Sequence, residues 1–280
     1  MSPPTFAAAE VAPASPGERL LGFLRDRLGQ LMGLIVFLAV WEGLLRLFDV
    51  PQFILPTPIE IIERIVQDAI TDLIFVHVEV TVIETLLGFL LAAILGIGLG
   101  CAVGLVPGFE RVVYPYILAL QTIPKVAVAP LMIIWVGYGI QSKVLTAGLI
   151  AFFPILVNVV VGLKTVEPRM LLLMRALKAG HLQTFIKVRL PSMLPYLFAG
   201  LETAIIFAII GAIVGEFIGA SQGLGSLIIQ RQASIDVPGV FSVLFYLSVI
   251  GITLDSALRS IAKRYAFWSH RASAAGQSNQ

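Results

Sequence analysis

Residues 187–206 read KVRLPSMLPYLFAGLETAII. Lys187 and Arg189 belong in water, whereas the run that begins at Met193 belongs in hydrocarbon. Between them stand Pro191 and Pro195. A proline lacks a backbone donor and fits the first turn of a helix, where that donor has no partner anyway. The stretch therefore predicts a membrane helix over 193–220. A rigid, charged elbow leads into it, with Pro191 ending what comes before and Pro195 in the first turn of the span.

The rest of the chain fits a membrane setting. Of its 280 residues, 58% are hydrophobic and 13% charged, against about 45–50% and about 25% in soluble domains. Crossing a bilayer takes about 20 apolar residues, and six segments qualify: 30–48, 82–106, 112–136, 144–163, 193–220 and 240–258. The expected fold class is all-α and polytopic. A single cysteine, Cys101, excludes a disulfide framework or a multi-thiolate metal site. Residues 1–18 hold no Lys or Arg and no apolar core, so they are not a signal peptide. The expected organisation is a disordered tail over 1–28, a first span with an external amphipathic helix over 29–79, a transmembrane core over 80–268 and a tail over 269–280.

Basic residues set the orientation. With the N-terminus inside, fourteen Lys and Arg fall on the cytoplasmic side. Only Arg46, Arg64, Lys143 and Arg231 fall outside, and Lys125 lies within a span. Both termini are expected in the cytoplasm, and the net charge of +2 reflects topology rather than nucleic-acid binding.

Several segments carry more specific signals. Thr57 and Glu60 form a capping box with Pro58 at the first helical position, opening a short external helix expected to brace the bundle. Glycines recur every four residues at 96, 100 and 104 and at 211, 215 and 219, the mark of close helix contacts within the subunit or between copies. Pro115, Pro124 and Pro130 interrupt the third span. Broken helices in a membrane need cover from protein or a water-filled cavity, and transporters place their substrates there. Residues 164–192 carry apolar stripes on both sides of Ala179-Gly180, which predicts two short amphipathic helices joined by a turn on the cytoplasmic face.

These features resemble the binding-protein-dependent permease family of bacterial ATP-binding cassette (ABC) importers, in its nitrate/sulfonate/taurine/bicarbonate branch. The likeness covers about residues 50–268. It rests on FILPTPIEII, QTIPKVAVAPLMIIWVG, FFPILVNVVVGL, SMLPYLFAGL, GAIVGEFIGASQGLGSLI and the basic RYAFW near the end. The family's cytoplasmic E-A-A…G…I-x-L-P motif aligns on Leu190-Pro191. That places Leu172, Leu173 and Met174 at the E-A-A positions and Lys178 at the glycine, with Gly180 two residues later available for the turn. A second departure is Glu202, where the branch more often has a basic residue.

The resemblance implies a MetI-like permease fold in the bacterial inner membrane. It also implies a homodimer around a central path, a separate ABC ATPase, and a periplasmic or lipid-anchored substrate-binding protein. Cofactors are expected only in the ATPase, which holds ATP-Mg, since this chain carries no phosphate-cradling G-x-x-x-x-G-K-[ST]. Membrane lipid is the remaining partner. Coupling to the ATPase is expected at Arg175, Ala176, Leu177, Lys178, Ala179, Gly180 and His181. The expected path residues are Pro124, Lys125, Asn158, Glu84, Glu202 and Glu216. A buried charge costs about 2.5–3.5 kcal/mol at the bilayer centre, so such residues either line a path or pair with one another. Lys125 suits an anionic substrate at a broken helix, or else a salt bridge to Glu84 or Glu202. An ion-coupled transporter using Glu84, Lys125 and Glu202 is the competing reading. The substrate is expected to be a small anion or a heterocyclic vitamin precursor. No nucleophile elbow or metal spacing points to an enzyme.

Overall fold

A computed structural model describes residues 16–71 and 73–265, and every regular element among them is helical. The expected tail through residue 15, the tail over 269–280 and most of RYAFW lie outside the described residues. Residues 16–28, expected as tail, instead open α1 (Pro16–Leu47). No proline follows Pro16 before residue 50, and the intervening Leu, Glu and Arg residues are good helix formers.

Among the described residues, those up to Glu60 form one compact unit and those from Ile61 onward another. In the first unit, Glu42 on α1 pairs with Arg46 (2.6 Å) and accepts the Ile59 N–H (3.4 Å). The capping box at the start of α2 (Pro58–Ile70) is formed as expected. Glu60 Oε2 accepts the Thr57 N–H at 2.8 Å, and Thr57 Oγ1 accepts the Glu60 N–H at 3.4 Å.

The second unit continues with α3 (Leu73–Leu105), α4 (Pro107–Gln121), α5 (Ala129–Val136), α6 (Ile140–Lys164), α7 (Pro168–Ala176), α8 (His181–Thr184), α9 (Leu190–Gly219), α10 (Leu224–Ala233) and α11 (Val237–Tyr265). Among the described residues five helical runs are long and apolar enough to span a membrane. A sixth candidate is a bent pair, 108–121 with 125–136, whose halves meet at 86°. Neither half reaches the roughly 30 Å of a hydrocarbon core alone, at about 1.5 Å per residue. The three prolines of this segment play different parts. Pro115 lies inside α4, Pro124 precedes a 3₁₀ turn (Lys125–Val128) at the break, and Pro130 sits in the first turn of α5, where it costs little.

At its N-terminal end α3 begins nine residues before the expected span. Hydropathy marks the lipid-facing length, whereas the helix runs on because protein contacts hold it.

Helix α6 is the axis of the core, with Ile155, Val159 and Leu163 packed against α3 and α9. The glycine stripes create this arrangement. A Cβ at Gly96, Gly100 or Gly104 meets Ile155, Val159 or Leu163, so α3 runs parallel to α6 in fixed register. Gly211, Gly215 and Gly219 lie against Ala147, Lys143 and Tyr138, so α9 runs antiparallel to it. Both stripes therefore make contacts within the subunit.

The fifth span enters differently from the expected elbow. The chain is helical without interruption over His181–Gly219, and Pro191 ends nothing. A π-helical turn, Phe185–Arg189, shifts the bonding register so that the Leu190 N–H reaches Phe185 O. Ser192 Oγ then donates to Val188 O (2.8 Å). These bonds meet backbone acceptors next to the missing donor of Pro191, and Pro195 lies in the interior of α9.

Candidate coupling segment and translocation path

The segment expected to couple begins at the end of α7. Leu177 N–H bonds Leu173 O (3.0 Å), Lys178 N–H bonds Arg175 O (2.9 Å) and Ala179 N–H bonds Met174 O (2.9 Å). This is a Schellman closure, and its left-handed position is Lys178, at φ +52°. The turn thus falls where the motif alignment expects a glycine. Gly180, the expected substitute, has φ −69° and begins α8 with open space around it. Its N–H donates to Gln183 Oε1 (3.4 Å), and its carbonyl accepts the Thr184 hydroxyl (3.0 Å). Arg175, Ala176, Leu177, Lys178, Gly180 and His181 are exposed, and Ala179 is half-buried.

The residues expected along the path are scattered rather than gathered. Lys125, at the break in the third span, donates to Gln121 O (3.0 Å) and sits 4.7 Å above the Phe153 ring. Neither expected ion pair of Lys125 forms. Glu84 Oε1 instead meets Lys143 Nζ at 3.2 Å, and Glu202 Oε2 faces Arg259 Nε at 3.9 Å. Asn158 donates to Pro154 O (2.8 Å) and lies against Gly200, at the contact between α6 and α9. Pro124 is exposed at the break.

Glu84 and Glu216 do come together, but near the end of the bundle formed by the start of α6 and the close of α9. Both are buried and lie beside one another. Glu216 Oε1 accepts the Thr81 hydroxyl (2.7 Å), and Oε2 accepts the Gly225 N–H. Thr81 Oγ1 in turn accepts the Leu224 N–H (2.8 Å), and His77 Nδ1 accepts the Gly223 N–H (3.0 Å). The α3 residues 77, 81 and 84 share one helix face and together fasten the turn between α9 and α10. Gly223 is required there: its φ is +114°, and any Cβ falls on the Glu216 carboxyl.

A second polar knot ties α2 to α10 and α11. Arg231 grips Asp68 through both nitrogens (2.6 and 2.7 Å) and donates to Gly239 O (2.6 Å). Ser242 Oγ donates to Asp68 Oδ2 (2.6 Å), Arg64 pairs with Asp236 (2.7 Å), and Tyr246 donates to Ile65 O (2.9 Å). Bracing is therefore what α2 does through these residues. Lys143 and Arg231 were read from sequence only as outside charges. The signal available was the period of four and three in 77, 81 and 84; the partners of His77 and Thr81 lie more than 130 residues away.

Comparison with known proteins agrees with this architecture. Residues 88–267 match the family described as binding-protein-dependent transport system inner membrane component. The chain is 37% identical to the formylaminopyrimidine transport permease ThiX of Halalkalibacterium halodurans, over 84% of this chain and 93% of that one. It is 39% identical to the riboflavin transport system permease RibX of Chloroflexus aurantiacus, over 87% and 91%. Similarity to the putative aliphatic sulfonates permease SsuC of Bacillus subtilis is 30%, over 93% of each. In structure, the chain shares the fold of a chain from the inward-facing MetNI methionine ABC transporter, with a TM-score of 0.61 at 21% identity, covering 69% of this chain and 96% of that one. The chain belongs to the binding-protein-dependent transport system inner membrane component family.

Proposed function

We propose that this inner-membrane permease subunit of an ABC importer works as a pair of copies. A separate ATPase docks on Arg175–His181 and drives it, and a binding protein delivers a small heterocyclic solute. The observation that carries the coupling reading is the uninterrupted rod His181–Gly219, which joins the exposed turn to the centre of the bundle. At about 1.5 Å per residue it is about 58 Å long, so displacement of the turn moves the whole fifth span. The excess of basic residues near the turn supports its placement on the cytoplasmic side together with both termini. A heterocycle is favoured over a sulfonate because the relatives named for formylaminopyrimidine and riboflavin are 37% and 39% identical, against 30% for aliphatic sulfonates and 27% for taurine. ATP-Mg belongs to the ATPase.

The ion-coupled alternative needs Glu84, Lys125 and Glu202 to form one relay, and each has a different partner here. Gly180→Trp in the assembled importer tests the coupling reading, because Gly180 is surrounded by open space and tolerates bulk within its own chain. The variant is expected to reach the membrane at the wild-type level yet lose ATPase co-purification and ATP-driven uptake. Normal uptake by it overturns the docking assignment. Uptake abolished by a protonophore with ATP preserved favours the relay instead.

A further inference from the structure

Beneath the coupling turn lies a cleft of about 260 Å³, bounded by the last residue of α3, the body of α7 and the π-helical entry to the fifth span. Its polar lining is Arg175, Arg189, His181 and Thr184, with no acidic residue. Among the described residues neither arginine forms an ion pair, although a cluster of like charge calls for a counter-charge. The remaining wall is apolar, from Leu105, Leu171 and Phe185. Leu105 is the last residue of a helix long and apolar enough to span a membrane, so the cleft lies at the end of that helix.

We propose that this cleft is a binding site for the headgroup phosphate of an anionic phospholipid. Two guanidinium groups match a phosphate, which they engage through paired N–H bonds. Leu105, Leu171 and Phe185 offer the adjoining acyl chain an apolar surface, and basic pockets between membrane helices are where anionic headgroups bind. A soluble anion makes no use of that apolar wall. The seated lipid neutralises the arginine pair and ties the start of the fifth span to the end of α3, beneath the turn. The cleft shares Arg175, Ala179 and His181 with the segment proposed to dock the ATPase, so lipid preference and ATPase binding have to be read separately.

Native mass spectrometry of the full-length chain, with phosphatidylglycerol against phosphatidylcholine, tests it. Phosphatidylglycerol is expected to bind about 30-fold more tightly, from two arginines at the per-residue value for membrane surfaces. Arg175→Gln with Arg189→Gln removes that preference. Arg169→Gln, on a side chain exposed outside the cleft, keeps it. Equal binding of the two lipids by the wild type, or an unchanged preference in the double variant, overturns the proposal. So does displacement of phosphatidylglycerol by millimolar inorganic phosphate, which marks a soluble-anion site. ATPase co-purification is scored separately. Its loss in the double variant with lipid preference intact assigns the arginines to the ATPase and overturns the lipid site.

Discussion

Ala147 is caught between two glycines on opposite helices, and the geometry on each side differs in a way that mutation resolves. A Cβ at Gly211 lands 2.6 Å from Ala147 Cα and 3.0 Å from its backbone nitrogen. Carbon atoms rest at about 3.5–4.0 Å, so α9 must withdraw from α6 by about 1 Å. Overpacking of this kind costs about 1–3 kcal/mol. An alanine returns up to about 1 kcal/mol in helix propensity, so strain wins at Gly211. Gly211→Ala is expected to lower the thermal midpoint in detergent by up to about 8 °C, at about 2–4 °C per kcal/mol for a chain of this size. Gly98→Ala meets nothing within 4 Å and is expected to be neutral or stabilising.

At Gly88 the nearest atom is the Ala147 Cβ itself, at 2.5 Å. Ala147→Gly therefore removes the tightest contact of Gly88→Ala, leaving Val144 O at 3.0 Å and Gly148 N at 3.1 Å, but leaves the backbone clash of Gly211→Ala in place. A double-mutant cycle is expected to show favourable coupling for the 88/147 pair and coupling near zero for 211/147. Wild-type stability of Gly211→Ala, or stronger coupling at 211 than at 88, refutes the packing argument.

Lys178 holds a left-handed conformation that costs a side-chain-bearing residue about 1–2 kcal/mol. Lys178→Gly should therefore raise the midpoint by about 2–8 °C, whereas a gain of the same size from Lys178→Ala points to charge rather than backbone. Arg231→Met strips the buried Asp68 of its bidentate partner, leaving only Arg64 Nε at 3.8 Å as a cation, and is expected to cost about 3–5 kcal/mol. Pairing it with Asp68→Leu should recover most of that loss, and a double variant as unstable as the single one contradicts the ion-pair account.

The spans, their number, the broken third span and the Thr57–Glu60 cap follow from apolar run length, proline position and local hydrogen-bond chemistry, all of which act within a few residues. The glycine stripes likewise announced close contact. Partner choice did not follow. Lys125, Glu84 and Glu202 looked like one constellation because each is a charge in an apolar run. Only the register of α3, α6 and α9 hands Glu84 to Lys143 and leaves Lys125 over Phe153.

The elbow at Pro191 failed for a related reason. A proline withdraws one bond, but whether the helix stops or absorbs the loss in a π-turn depends on what the flanking turns pack against. Hydropathy and proline spacing thus marked the apolar runs and the break in the third span, since both are set by solvent and by neighbours in sequence. Which charge meets which, and which residue takes the left-handed turn, was decided by helices packed in a register that no local pattern records.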